Sequence, residues 1–96
     1  MTANPNASSQ RLAALLVNYN SGQYAERCAA SLADEWAALG RAREDLELVI
    51  VDNASPEDQE QYLVRIEEAG HKVVRSPENL GYAGGNNVGL EYALTS

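Results

Sequence analysis

The chain has one cysteine and one histidine, seven lysines and arginines against fourteen acids, and no apolar run longer than six residues before position 40. A single cysteine, Cys28, excludes an internal disulfide, and one Cys with one His excludes a Cys/His zinc site. Cys28 is expected to pack as a small hydrophobe on an apolar helix face. The net charge of −7, with the few cations scattered, excludes the clustered basic surface from which nucleic-acid binding draws its affinity. The first apolar run, Leu12 to Val17, is too short for a signal peptide or for the roughly twenty residues of a membrane span. The chain therefore reads as cytoplasmic, with the inner membrane surface as an alternative location. A small phosphorylated ligand stays compatible with the acidic charge if a metal ion or backbone N–H groups neutralise it locally.

What remains is enough for one domain. Ninety-six residues, 45% hydrophobic and 22% charged, fit a single soluble unit near the lower end of the usual domain size. Residues 1–10 are a polar tail, and 11–96 carry the periodic patterns. Leu12 to Val17 predicts a strand covered on both faces. From Tyr24 to Leu39, the residues Tyr24, Cys28, Leu32, Trp36 and Leu39 recur at helical steps, with Asn20 or Ser21 as cap and Gly40 as stop. Leu46 to Val51 predicts a second buried strand ending at Asp52-Asn53. Ser55 and Pro56 then open a helix as cap and first residue, with Tyr62, Leu63, Ile66 and Ala69 inward and Gly70 as its end. A third strand spans about Lys72 to Arg75. Gly81 to Gly89 reads as a glycine- and asparagine-rich segment before a short helix, Leu90 to Leu94. Strand and helix in alternation imply a three-layer α/β unit with a mostly parallel sheet.

Ligands of open α/β sheets bind beyond the carboxyl ends of the strands, and three polar segments fall there. Asn18-Tyr19-Asn20 offers polar groups and a flat ring to a nucleobase, or else is a capped turn with Tyr19 in the core. Asp52 follows four apolar residues, where a carboxylate accepts hydrogen bonds from a base or ribose; shaping the turn with Asn53 is the equal alternative. Gly84-Gly85 allows close backbone approach to a ligand, with Asn86 and Asn87 as donors at a helix start. Neither the G-x-x-x-x-G-K-[ST] loop nor the G-x-G-x-x-G fingerprint is present, which sets aside P-loop and dinucleotide-dehydrogenase readings.

Taken together, Leu15 to Gly22, Leu48 to Ser55 and Glu78 to Gly89 resemble the family 2 glycosyltransferases, whose GT-A fold is a partly Rossmann-like domain binding nucleotide-diphospho-sugars. The resemblance implies that Val17, Asn18 and Tyr19 frame the base, that Asp52, beside Asn53, bonds base or ribose, and that Gly81, Gly84, Gly85 and Asn86 line the nucleotide site. A rhamnosyltransferase-like subgroup, and with it a dTDP-rhamnose donor, is implied by Asn18-Tyr19-Asn20; UDP-sugars are equally compatible. The family's metal-binding Asp-x-Asp is absent from these residues, although Mg²⁺ or Mn²⁺ is expected for the full-length enzyme. The expectation is therefore an N-terminal fragment, inactive alone and prone to self-association through an exposed sheet edge. The competing expectation is a non-catalytic nucleotide-binding or assembly module.

Overall fold

The computed structural model describes residues 11–79 and 81–95, apart from the side chains of residues 82, 83 and 93–95; the expected tail, 1–10, lies outside them. Strands β1 (Leu12–Asn18), β2 (Leu46–Asn53) and β3 (Lys72–Ser76) alternate with helices α1 (Gly22–Ala38), α2 (Glu60–Glu68) and α3 (Gly81–Thr95), with short 3₁₀ turns at Arg43–Asp45 and Glu57–Gln59. The three strands form one parallel sheet in the order β1-β2-β3. Leu12 is opposite Leu46 and Asn18 opposite Asp52, while Asn53 is opposite Ser76. The α/β unit with a parallel sheet is thus as expected.

Side-chain alternation along the strands sorts the core into two layers. Leu48 and Ile50 of β2 join Ala25 and Ala29 of α1 and Ile66 of α2, with Ala14, Leu16, Leu32 and Val73 packed around them. The intervening residues, Leu15, Val17 and Val51, face α3. The central strand β2 is consequently buried on both faces, with Ile50 and Val51 fully enclosed.

The structure corrects four expectations. In α1 the buried positions are Gly22, Ala25, Ala29 and Trp36, whereas Tyr24 and Leu39 are each 68% exposed and Cys28 is exposed. Steps of four residues advance about 40° beyond a full turn, so the stripe of large residues drifts off the sheet, and small residues take the close contact. The strand β1 is not covered on both faces: Leu12 and Leu15 are exposed beside an edge that is unpaired among the described residues. Ser55 and Pro56 do not cap and open α2; the chain first makes a 3₁₀ turn, and no side chain caps either segment. Of the inner face expected for α2, Leu63 and Ile66 are buried, Tyr62 is half-buried and Ala69 is exposed.

The fourth correction concerns Gly81 to Gly89, which is helix rather than loop. Gly81 begins it in a left-handed conformation, φ 71°, its N–H donating to Asn79 Oδ1 at 2.8 Å. Glycine is a poor helix former, but Gly85 and Gly89 stand one turn apart on the face that meets the sheet. A Cβ on Gly85 would lie 2.7 Å from Val17 Cγ1, and one on Gly89 would collide with Leu15 and lie 2.9 Å from Val51 Cγ2. Close approach to a β-branched surface outweighs the roughly 0.5–1 kcal/mol that each glycine costs a helix.

At the amino ends of the strands, the guanidinium of Arg43 ties three segments together. It donates to the carbonyls of Leu46 at 3.0 Å and Ala69 at 3.3 Å, and to His71 Nδ1 at 3.0 Å. Arginine only donates, so Nδ1 is the unprotonated acceptor of a neutral ring. Burial, then the neighbouring Arg43 charge, holds the His71 pKa below its ordinary value. The unfolded chain therefore binds the extra proton first: this contribution to stability is complete above about pH 6.5 and is lost as pH falls through the folded value. Urea unfolding at pH 7.5 and 5.5 is expected to show a larger loss for the native sequence than for His71→Gln, which keeps an acceptor but does not titrate. Equal losses in the two proteins would contradict this role.

Candidate nucleotide-binding site

The β1–α1, β2–α2 and β3–α3 connections all leave the carboxyl ends of the parallel strands, where the expected residues gather. Asp52 and Asn53, consecutive at the end of β2, point to opposite faces of the sheet. Each organises one side of the site.

On the α1/α2 face, Asp52 is 4% exposed and sits opposite Asn18 in register. Its Oδ1 accepts from Asn18 Nδ2 at 3.0 Å and from the Ser55 hydroxyl, and its Oδ2 accepts from the Ser55 N–H at 3.1 Å. The Ser55 Oγ in turn accepts the Asn20 N–H at 2.8 Å and, more weakly, Asn18 Nδ2 at 3.5 Å. Asn20 and Ala54 adopt left-handed backbone, φ 51° and 58°, so each turn contains a conformation that these bonds stabilise. Two carboxylate oxygens offer about four acceptor positions, and these bonds fill three of them.

The helix ends nearby are partly satisfied from within. Gln59 Oε1 accepts the Gly22 N–H at 2.8 Å, and the Ser21 hydroxyl donates to the Tyr19 carbonyl at 3.1 Å instead of capping α1. Tyr19 is half-exposed and not a core residue. Next to it, a shallow cleft of about 240 Å³ is lined by Leu16, Val17, Asn18, Tyr24 and Cys28 among others.

On the α3 face, Asn53 is 2% exposed. Its Nδ2 donates to the Gly81 carbonyl at 3.0 Å, fixing the start of α3 against β2, while its Oδ1 is buried with no hydrogen-bond partner among the described residues. Val17, Tyr19, Asn53, Asn79 and Gly81 line a second cavity of about 220 Å³. Gly85 closes on Val17 behind it, whereas Gly84 is half-buried and Asn86 is exposed in the second turn of α3. The structure thus brings Val17, Tyr19, Asn53 and Gly81 together around one cavity and gathers Asn18 and Asp52 into a separate polar clasp. The position of Ser55 before Pro56 predicts a helix cap, whereas the structure puts it at the centre of that clasp; the signal for this role is the Asp-x-x-Ser spacing, which lets a serine N–H and hydroxyl reach the carboxylate.

Among the described residues no three His, Cys, Asp or Glu side chains are grouped to hold a metal ion. The divalent metal that the resemblance implies therefore does not fit these residues, and Asp52 is already engaged. No described helix is long and apolar enough to cross a membrane.

Hydrogen bonds to a charged group are worth about 1.5–3 kcal/mol, so Ser55→Ala is expected to lower stability by about that amount and to speed hydrogen exchange at the Asn20 amide. Ser21→Ala, which removes only an exposed bond, is expected to stay within about 0.5 kcal/mol. Equal effects of the two substitutions, measured by urea unfolding and amide exchange, would contradict the clasp.

Comparison with known proteins supports the architecture from two directions. Among curated proteins none matches. A solved structure, a mannosyltransferase from Pyrobaculum calidifontis in complex with GDP-Man and Mn²⁺, aligns with a TM-score of 0.62 at 22% identity, over 85% of this chain and 24% of its own. At that identity the likeness is one of fold, and this chain spans about a quarter of that protein's length. The family described as glycosyl transferase family 2 matches residues 14–95, which run from within β1 to the end of α3. This chain belongs to glycosyl transferase family 2.

Proposed function

We propose that this chain is the nucleotide-binding half of a glycosyltransferase that moves a sugar from a nucleotide-diphospho-sugar to an acceptor hydroxyl. One observation carries the reading: Val17, Tyr19, Asn53 and Gly81 line a single cavity at the carboxyl ends of the strands, beside a carboxylate, Asp52, held rigid by Asn18 and Ser55. In open α/β sheets this is where ligands bind. The family membership and the fold shared with a mannosyltransferase bound to GDP-Man are consistent with it.

Within this reading, the Tyr19 ring and Val17 supply a flat apolar surface for a base, and Asp52, through Asn18 and Ser55, holds the turn that carries that ring. The amino ends of the helices present N–H groups toward the same end of the sheet, a favourable field for a diphosphate. Donors with UDP or dTDP, dTDP-rhamnose among them, suit these features. The transfer chemistry itself, acceptor deprotonation and stabilisation of the leaving diphosphate, is not assigned to any residue of this chain.

Full-length protein supplied with Mg²⁺ or Mn²⁺ and a panel of UDP-, dTDP- and GDP-sugars is expected to release nucleoside diphosphate in the presence of acceptor sugars. Absence of release across a broad panel would argue for the alternative of a non-catalytic nucleotide-binding or assembly module. A second consequence arises at β1, whose outer edge is unpaired among the described residues and flanked by exposed Leu12 and Leu15. Unpaired edges template association, so sedimentation of residues 1–96 is expected to show dimers or larger species at high concentration; a stable monomer would count against this.

A further inference from the structure

Gly22, the first residue of α1, is buried in surroundings that leave no room for a side chain. A Cβ there would lie 2.6 Å from Tyr62 Cδ2, 2.8 Å from Tyr62 Cβ and 2.9 Å from Gln59 Oε1. The backbone of α1 is therefore pressed directly against the start of α2 and the 3₁₀ turn before it. That closeness lets Gln59 Oε1 accept the Gly22 N–H at 2.8 Å. The contact begins a seam between the two helices. One turn along α1, the Glu26 carboxylate accepts from Nε and Nη2 of Arg65 at 2.7 and 3.1 Å, and the same guanidinium lies over the Tyr62 ring, 5.0 Å from its centre.

The seam ends at the turn that carries Tyr19. Two residues before Gly22, the Asn20 N–H is held by Ser55 Oγ at 2.8 Å. Ser55 and Gln59 both belong to the β2–α2 connection, so one connection grips the β1–α1 turn at two amides, one on either side of Ser21. Asn20 is left-handed, φ 51°, a conformation that costs energy in a non-glycine residue and persists where its surroundings over-determine it. A single anchor would leave the turn free to rotate about it. Two anchors fix the direction in which Tyr19 projects, half-exposed and lining both clefts at the carboxyl end of the sheet.

Resting on the nucleotide-binding reading above, we infer that Gln59 is a positioning residue of that site: by holding the Gly22 N–H, it presents the Tyr19 ring to the ligand already in place. Gly22 is the condition for this bond, since any side chain there would push Gln59 and Tyr62 away. Without the bond, the turn is ordered only as the ligand binds, and the backbone freedom lost at that moment is subtracted from affinity. Gln59 itself lines neither cleft, so its effect is exerted through the turn.

The test measures UDP binding to the chain by calorimetry for Gln59→Ala, Tyr19→Ala and the double variant. Loss of one net hydrogen bond corresponds to about three- to tenfold in affinity, and Gln59→Ala is expected to weaken UDP binding by that factor and to speed amide exchange at Gly22. In the Tyr19→Ala background the same substitution is expected to change affinity by less than about twofold, because two residues acting through one contact are not additive. Gln61→Ala, which removes only an exposed bond to the Asp58 carbonyl, is expected to leave binding unchanged. Should Gln59→Ala fail to fold, Gln59→Met, of similar length but without the acceptor, takes its place. Native affinity in Gln59→Ala, losses that multiply in the double variant, or an equal loss in Gln61→Ala each overturns the inference while leaving nucleotide binding intact. If the native chain binds no nucleotide, the nucleotide-binding reading falls first and the inference with it.

Discussion

Side-chain alternation along β2 is the constraint on which the rest depends. The strand lies between two parallel neighbours and between helices on both faces, so from Leu48 onward every residue of it is buried. Its last two residues are polar, buried and opposed in direction. Asp52 must find its donors on the α1/α2 side and takes them from Asn18 and Ser55; Asn53 must find its partner on the α3 side and takes the Gly81 carbonyl. Both connections at the carboxyl end of the sheet are anchored to one strand terminus. A register slip of one residue would exchange the two faces and lose both anchors.

Electrostatics divide the molecule along the same axis. Arg43 and Lys72 stand at the amino ends of the strands, with the neutral His71 beside Arg43. Arg75 is paired with Glu60 and Glu67 on the surface, and such exposed pairs contribute about 0–1 kcal/mol. Among the described residues no unpaired cation faces Tyr19, Asn53 and Asn79. For a chain of net charge −7, a diphosphate at the carboxyl end would rely on backbone N–H groups and helix ends for its counter-charge.

Much of this was legible in the sequence because it depends on local pattern. The β-branched run of Leu46 to Val51 with its polar end marks β2, and the alternation of strand and helix gives the parallel sheet. The three stretches that carry the family resemblance also converge at one end of the sheet. What escaped reading depends on tertiary contact. The inward face of α1 is set by how closely Ala25 and Ala29 approach the sheet, which a pattern of large residues at steps of four misplaces. Gly85 and Gly89 oppose a helix by propensity and are tolerated because Val17 and Leu15 leave no space for a Cβ. Ser55 looks like a cap before Pro56, and only the proximity of β1 shows its hydroxyl bridging Asp52 to Asn20. The bond from Asn53 to the Gly81 carbonyl is the least legible, since an amide at a strand end is ordinary and its partner is distant in sequence.

The most direct test of the central claim, that the carboxyl end of this sheet binds a nucleotide, is to titrate isotope-labelled chain with UDP and follow the backbone amides. The account requires shifts concentrated at residues 17–20, 52–55 and 79–85, with the amides around Arg43, Gly70 and His71 unmoved. Shifts confined to that opposite end, or saturating binding that leaves the three segments unchanged, would contradict it.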